Sequence, residues 1–180
     1  MEGMVSLETG AKINIYLEIL GLRGDGYHEL RSLFAPVSRP TDTLHLRPLP
    51  SGRGFVLSCS LPELEGEQNV LYRAYEAFAS ATGQRPDLGV HGAQQLRRQG
   101  SADAAALLGW MNSRLPVERQ LGHGELVDVA ACVGSDVPFF LLGRTAWVTG
   151  AGESVTPVWG EPRLDGMVVV CPDIAVSTAW

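Results

Sequence analysis

Cysteine is scarce in this chain. Three occur among 180 residues, Cys59, Cys132 and Cys171. They are odd in number and too far apart for a disulfide framework or a thiolate metal site, so reduced thiols in a cytoplasmic protein are expected. Long apolar runs are missing too: none reaches the roughly 18 residues that a membrane-spanning helix requires. The opening MEGMVSLETG has neither the basic start nor the apolar stretch of a signal peptide. Positive charge is in deficit. Fourteen Lys and Arg against 20 Asp and Glu leave a formal net charge of −6, which argues against a protein that binds nucleic acid by neutralising phosphates. No GxxxxGK[ST] pattern occurs, which excludes a Walker-type nucleotide loop. His45, His91 and His123 lack ligand spacing, so no histidine metal site is expected. There is no internal repeat and no low-complexity linker.

What remains is an ordinary globular composition, 45% apolar and 19% charged, long enough for one domain with a real core. The most informative stretch is Gly10 to Phe34. It alternates strictly at first, with Ile13, Ile15, Leu17 and Ile19 on one side and Lys12, Asn14, Tyr16 and Glu18 on the other. That is the pattern of a half-buried strand, its apolar set facing a core and its polar set open. A turn punctuated by Gly21, Gly24 and Gly26 leads to Tyr27 and His28. Further strands are expected at His28–Val37 (stopped by Pro36 and Pro40), Thr43–Arg47, Gly54–Ser58, Leu88–His91, Thr145–Thr149, Ser154–Val158 and Met167–Cys171.

Helices are expected at Asn69–Thr82, ended by Gly83; at Ser101–Arg114, with Ser101 as N-cap and Asp103 in the first turn; and at Gly124–Val133. The body of the second is apolar nearly all round, so it should be buried. Strands first, then helices and strands mixed, imply an α+β domain of two layers, a mixed sheet with packed helices.

Four constellations could carry chemistry. Lys12 and Asn14 form either a solvated strand face or a site where an ammonium holds a phosphate or lowers the pKa of a hydroxyl. In GSDVPFF, Gly134 ends a helix and Pro138 is expected to start an apolar strand. Asp136 at that corner is either an Asx-type turn former or cap, or a general base for a hydroxyl. Gly100 and Ser101 at a helix start are either an ordinary cap or a phosphate seat. Thr149 to Glu153 reads as a tight hairpin turn.

These segments, in order, resemble the motifs of the 4-diphosphocytidyl-2-C-methyl-D-erythritol kinase family, within the galactokinase–homoserine kinase–mevalonate kinase–phosphomevalonate kinase (GHMP) superfamily. The segments are AKINIYLEILGLRGDGYHEL, QNVLYRA, GSADAAALL, GSDVPFFLLG, GAGESVTPV and VVVCPDIAVST. The resemblance covers nearly the whole chain. It implies the GHMP N-terminal fold over residues 1–165, with 166–180 opening a further domain. It also implies ATP- and Mg2+-dependent phosphorylation of a hydroxyl on a cytidine-diphosphate-linked methylerythritol, for non-mevalonate isoprenoid synthesis.

Carried over by position, the resemblance makes Lys12 and Asp136 the catalytic pair and Asn14 a substrate holder. Tyr27 and His28 become cytosine readers. Asn69, Gly100 and Ser101 fall on the ATP side. No nucleic-acid or membrane partner is implied, and the protein is expected as a monomer or homodimer. One departure stands out. Where the family has a proline and a long glycine-rich loop, this chain reads GAQQLRRQG. An alternative reading is therefore a remnant that binds the cytidyl substrate but does not transfer phosphate.

Overall fold

The computed structural model describes residues 3–24, 26–60, 66–93, 100–160, 168 and 170. In chain order the elements are β1 (Val5–Leu22), β2 (His28–Pro48), β3 (Phe55–Cys59), α1 (Val70–Thr82), β4 (Leu88–Ala93), α2 (Gly100–Ser113), a 3-10 turn (Val117–Arg119), α3 (His123–Val133), α4 (Val137–Leu142), β5 (Ala146–Gly150) and β6 (Ser154–Pro157). The strands form a six-stranded sheet in the order β3-β4-β2-β5-β6, with β1 along the other edge of β2. β3 and β4 are parallel, joined through α1, and the other pairs are antiparallel. The mixed sheet with packed helices matches the α+β expectation. The expected strand at Met167–Cys171 lies outside the described residues apart from 168 and 170, as does Cys171.

α1 forms where the sequence places it. Asn69 accepts a hydrogen bond from the Leu71 N–H at 2.8 Å, and Gly83 ends the helix in the left-handed region at φ 68°. Its inner face (Leu71, Ala74, Tyr75, Phe78) packs with Leu44, Leu46, Leu88 and Val90 of the sheet and with Leu107, Leu108 and Met111 of α2 to form the main core. A second cluster, Phe34, Phe139, Ala146 and Val148, lies between β2, α4 and β5. Among the described residues no helix is long and apolar enough to cross a membrane.

Three expectations are corrected. β2 runs unbroken through Pro36 and Pro40. Pro40 falls in residues 38–41, which oppose only Gly10 where the β1–β2 register shifts; a proline costs no ladder bond at such an irregularity. Second, the apolar run after Pro138 is a helix, α4, not a strand. Pro138 occupies its first turn, where a missing N–H is not needed, and Gly143 at φ 67° stops it. Third, the alternation of β1 does not persist. The register skips Ile15 and Leu20, and a bulge exchanges the faces of the residues beyond it. Lys12, opposite Pro36, and Asn14, opposite Phe34, share a face with Leu17 and Ile19, opposite Ser32 and Leu30. Tyr16 and Glu18 turn to the other face, where Tyr16 meets Trp147 with ring centroids 5.8 Å apart. Ile15, Leu17 and Ile19 are exposed by 42, 54 and 62%, so they do not face a core.

Candidate active site

Lys12 sits on the helical face of β1, over the second apolar cluster. Its Nζ is 3.4 Å from Asp136 Oδ2, donates to Asn14 Oδ1 at 2.8 Å and lies 3.5 Å from the centroid of the Phe34 ring. An ammonium over an aromatic face is attracted by the ring quadrupole. Burial pushes the Lys12 pKa below its ordinary value, and the Asp136 carboxylate opposes this only in part, through its charge and its hydrogen bond. The lysine is thus a weakly hydrated cation held between a carboxylate, an amide and a ring.

Asp136 stands at the N-cap position of α4 but makes no capping hydrogen bond. Of the two roles open to it in the sequence, the structure disfavours the cap and directs the carboxylate to Lys12. The corner that holds it is braced from β5–β6. Gly152, buried at φ 116°, packs so closely that a Cβ there would lie 2.9 Å from Ser135 Cβ. In Gly152→Ala both the backbone region and the contact are violated. The variant should lose about 2–3 kcal/mol of stability, measured by urea unfolding, and the corner should shift.

The same turn reaches the other end of the hairpin. Glu153 Oε1 is 3.3 Å from Arg23 Nη1, which is also 3.4 Å from Glu29 Oε2. The Arg23 backbone closes the turn, its N–H donating to the Tyr27 carbonyl at 2.7 Å and its carbonyl accepting from Gly26 N–H at 3.1 Å. Tyr27 and His28 are both exposed at this tip. His28 pairs with Leu22, ten positions along β1 from Lys12. The hairpin reading of Thr149–Glu153 holds, and the turn also links two motifs.

On the nucleotide side, Asn69 caps α1, and its Nδ2 is 3.7 Å from Cys59 Sγ. Gly100 opens α2 against α1: a Cβ there would collide with Val70 Cγ1. Asn69, Gly100 and Ser101 therefore gather where the two helices begin. Ser101 is not the N-cap, because α2 starts at Gly100. Residues 94–99 lie outside the described residues. Sequence reasoning missed Phe34, the ring under the ammonium, because only the strand register sets it opposite Asn14. It also assigned Asp103 to the helix dipole alone, although a lone carboxylate on a helix apolar all round already signals a buried acid.

The fold and this site define a class first. A mevalonate diphosphate decarboxylase from Legionella pneumophila matches with TM-score 0.62 over 87% of this chain and 54% of that chain at 13% identity, which shows that the two share a fold. A solved 4-(cytidine 5'-diphospho)-2C-methyl-D-erythritol kinase matches with TM-score 0.69 at 34% identity, over 86% of this chain and 55% of that one. No family model matches. The 4-diphosphocytidyl-2-C-methyl-D-erythritol kinase of Solidesulfovibrio magneticus is 41% identical over 181 residues, 97% of this chain and 60% of that protein. Its namesake in Nitratidesulfovibrio vulgaris strain DP4 is 38% identical over 187 residues, 100% of this chain and 64% of that protein. By sequence the chain is a relative of the 4-diphosphocytidyl-2-C-methyl-D-erythritol kinases, and it spans about three-fifths of the length of these curated relatives.

Proposed function

We propose that this chain binds ATP with Mg2+ and 4-diphosphocytidyl-2-C-methyl-D-erythritol, and that it transfers the γ-phosphate to a hydroxyl of the methylerythritol. The reading places it in the cytoplasm, in isoprenoid precursor synthesis, as a monomer or homodimer. Residues 1–165 serve as the ATP- and substrate-binding domain, and 166–180 open a further one. The observation that carries the reading is the Lys12–Asp136 pair at 3.4 Å, on a chain whose relatives are named for this reaction.

Phosphoryl transfer asks mainly for positioning and electrostatics. Asp136 takes the hydroxyl proton as the oxygen attacks. Lys12 orients that oxygen and stabilises its developing charge, the more strongly for being poorly hydrated. Asn14 fixes the ammonium and holds substrate, while Tyr27 and His28 stack on and hydrogen-bond the cytosine. The N–H groups at the start of α2 and the Ser101 hydroxyl take the phosphates, with Asn69 beside the adenine. Among the described residues no group of three or more His, Cys, Asp or Glu could hold a metal. Ser101 would lie beside the nucleotide phosphates and Mg2+, and the ion would neutralise charge on the transferring group.

The depressed Lys12 pKa gives a pH signature. The rate should fall on an alkaline limb that begins below the ordinary lysine value of 10.5, with the same midpoint in an NMR titration of the Lys12 amine. The sign for stability is opposite. The unfolded chain keeps this proton to higher pH than the native one, so native stability rises between the native midpoint and 10.5.

A second reading, a remnant that binds the cytidyl compound without transferring phosphate, is favoured by one feature. Residues 94–99 read QQLRRQ where a loop wrapping a triphosphate needs small residues with permissive φ. Isothermal titration separates the two. ATP·Mg binding by this chain supports the kinase; cytidyl-substrate binding with no nucleotide binding overturns it in favour of the remnant.

A further inference from the structure

Among the buried polar side chains outside the site so far described are Thr9 at 4% exposure and Asp103 at 0%. Thr9 is on β1, three positions before Lys12; Asp103 is in the first turn of α2, two positions after Ser101. The Thr9 hydroxyl donates to Asp103 Oδ1 at 2.5 Å and is 3.4 Å from the Asp42 carbonyl oxygen. A single hydroxyl proton serves one acceptor at full strength, and the carboxylate is both nearer and charged. A carboxylate so removed from water is held there only by donors of this kind.

The location gives the bond its meaning. Thr9, opposite Asp42, is the last residue paired before the register shift, where Gly10 alone faces residues 38–41; pairing resumes at Ala11, opposite Val37. The crossing is tight, since a Cβ on Gly10 would lie 2.7 Å from the Val37 carbonyl oxygen. Irregularities of this kind re-aim the side chains beyond them, and a slip of one residue would put Lys12 on the wrong face of the sheet.

We propose that Asp103 is a positioning residue. Acting through Thr9, it pins the irregular crossing at Gly10, sets the face and height at which Lys12 meets Asp136, and ties this strand to the turn of α2 that carries Ser101. Its consequence for catalysis rests on the kinase reading; the placement of Lys12 does not.

Thr9→Val removes the donor at nearly constant volume, and Thr9→Ser keeps it. The ε-methylene proton resonances of Lys12, shifted by the Phe34 ring beneath the ammonium, report its placement without any turnover. Steady-state kinetics, run well below each variant's melting temperature, report the effect on transfer. Thr9→Val should return the Lys12 resonances toward ordinary lysine positions and lower kcat by roughly tenfold to a hundredfold, with little change in KM for the cytidyl substrate. Thr9→Ser should restore both.

Unmoved Lys12 resonances in Thr9→Val overturn the proposal, as does a loss that Thr9→Ser fails to restore. Should Thr9→Val not fold, Thr9→Ala, which also removes the hydroxyl donor, is read by the same resonances and the same criterion. Displaced resonances in a protein whose wild type transfers no phosphate support the positioning role and overturn the kinase reading alone.

Discussion

In Lys12→Met, phosphoryl transfer should slow by about a thousandfold while the protein stays as stable as before. Methionine keeps most of the length and the apolar character of the stem. The ammonium it removes is one that burial already disfavours, since the Lys12 pKa is lowered despite the neighbouring carboxylate. The Asp136 left behind is 36% exposed, so water can take the place of its partner, and surface-accessible pairs contribute little to folding in any case. Single-turnover transfer and a thermal melt on the same sample decide the matter. Turnover near the wild-type rate would refute the catalytic role of Lys12. A large fall in melting temperature would mean instead that the ammonium serves the fold. Lys12 and Asp136 act on one hydroxyl, so a double variant should cost little more than either single one.

Phe139→Ala should cost about 4 kcal/mol of stability, the largest loss expected from a single side chain near the site. Phe139 is fully buried, meets Phe34 edge to face at 5.3 Å between centroids and is packed with Ala146 and Val148. Removing the ring opens a cavity directly beneath the platform on which Lys12 rests. Guanidinium unfolding measures the loss; a cost near that of an exposed aromatic would show that this cluster does not close. Phe34 would also be free to tilt, so transfer should slow in this variant even where it remains folded.

Much of this was legible in the sequence because the deciding forces are local. The α1 boundaries follow from a cap at Asn69 and a glycine at Gly83, and α2 announces its burial through apolar residues on every side. Lys12 and Asp136 were singled out by residue type and position, and resemblance joined them before geometry did. The errors fall where distant parts of the chain decide. Nothing near Ile15 or Leu20 marks a bulge; the partner strand imposes it. The helix that contains Pro138 is only six residues long, too short for periodicity to distinguish from a strand. The bond between Thr9 and Asp103 spans 94 positions, and no local pattern encodes it.

The bulges at Ile15 and Leu20 together have a bearing on how this ribbon can change over time. Side chains along a strand alternate with a period of two, so the first skip reverses the faces and the second restores them, which leaves Leu22, opposite His28, on the face of Lys12. Lengthening or shortening the intervening strand by two residues preserves the parity and alters only reach. A change of one residue reverses it and turns the tip's side chains to the opposite side of the sheet. Variation in this stretch is thereby confined to even steps, unless one of the two bulges is lost or a third appears to restore the count.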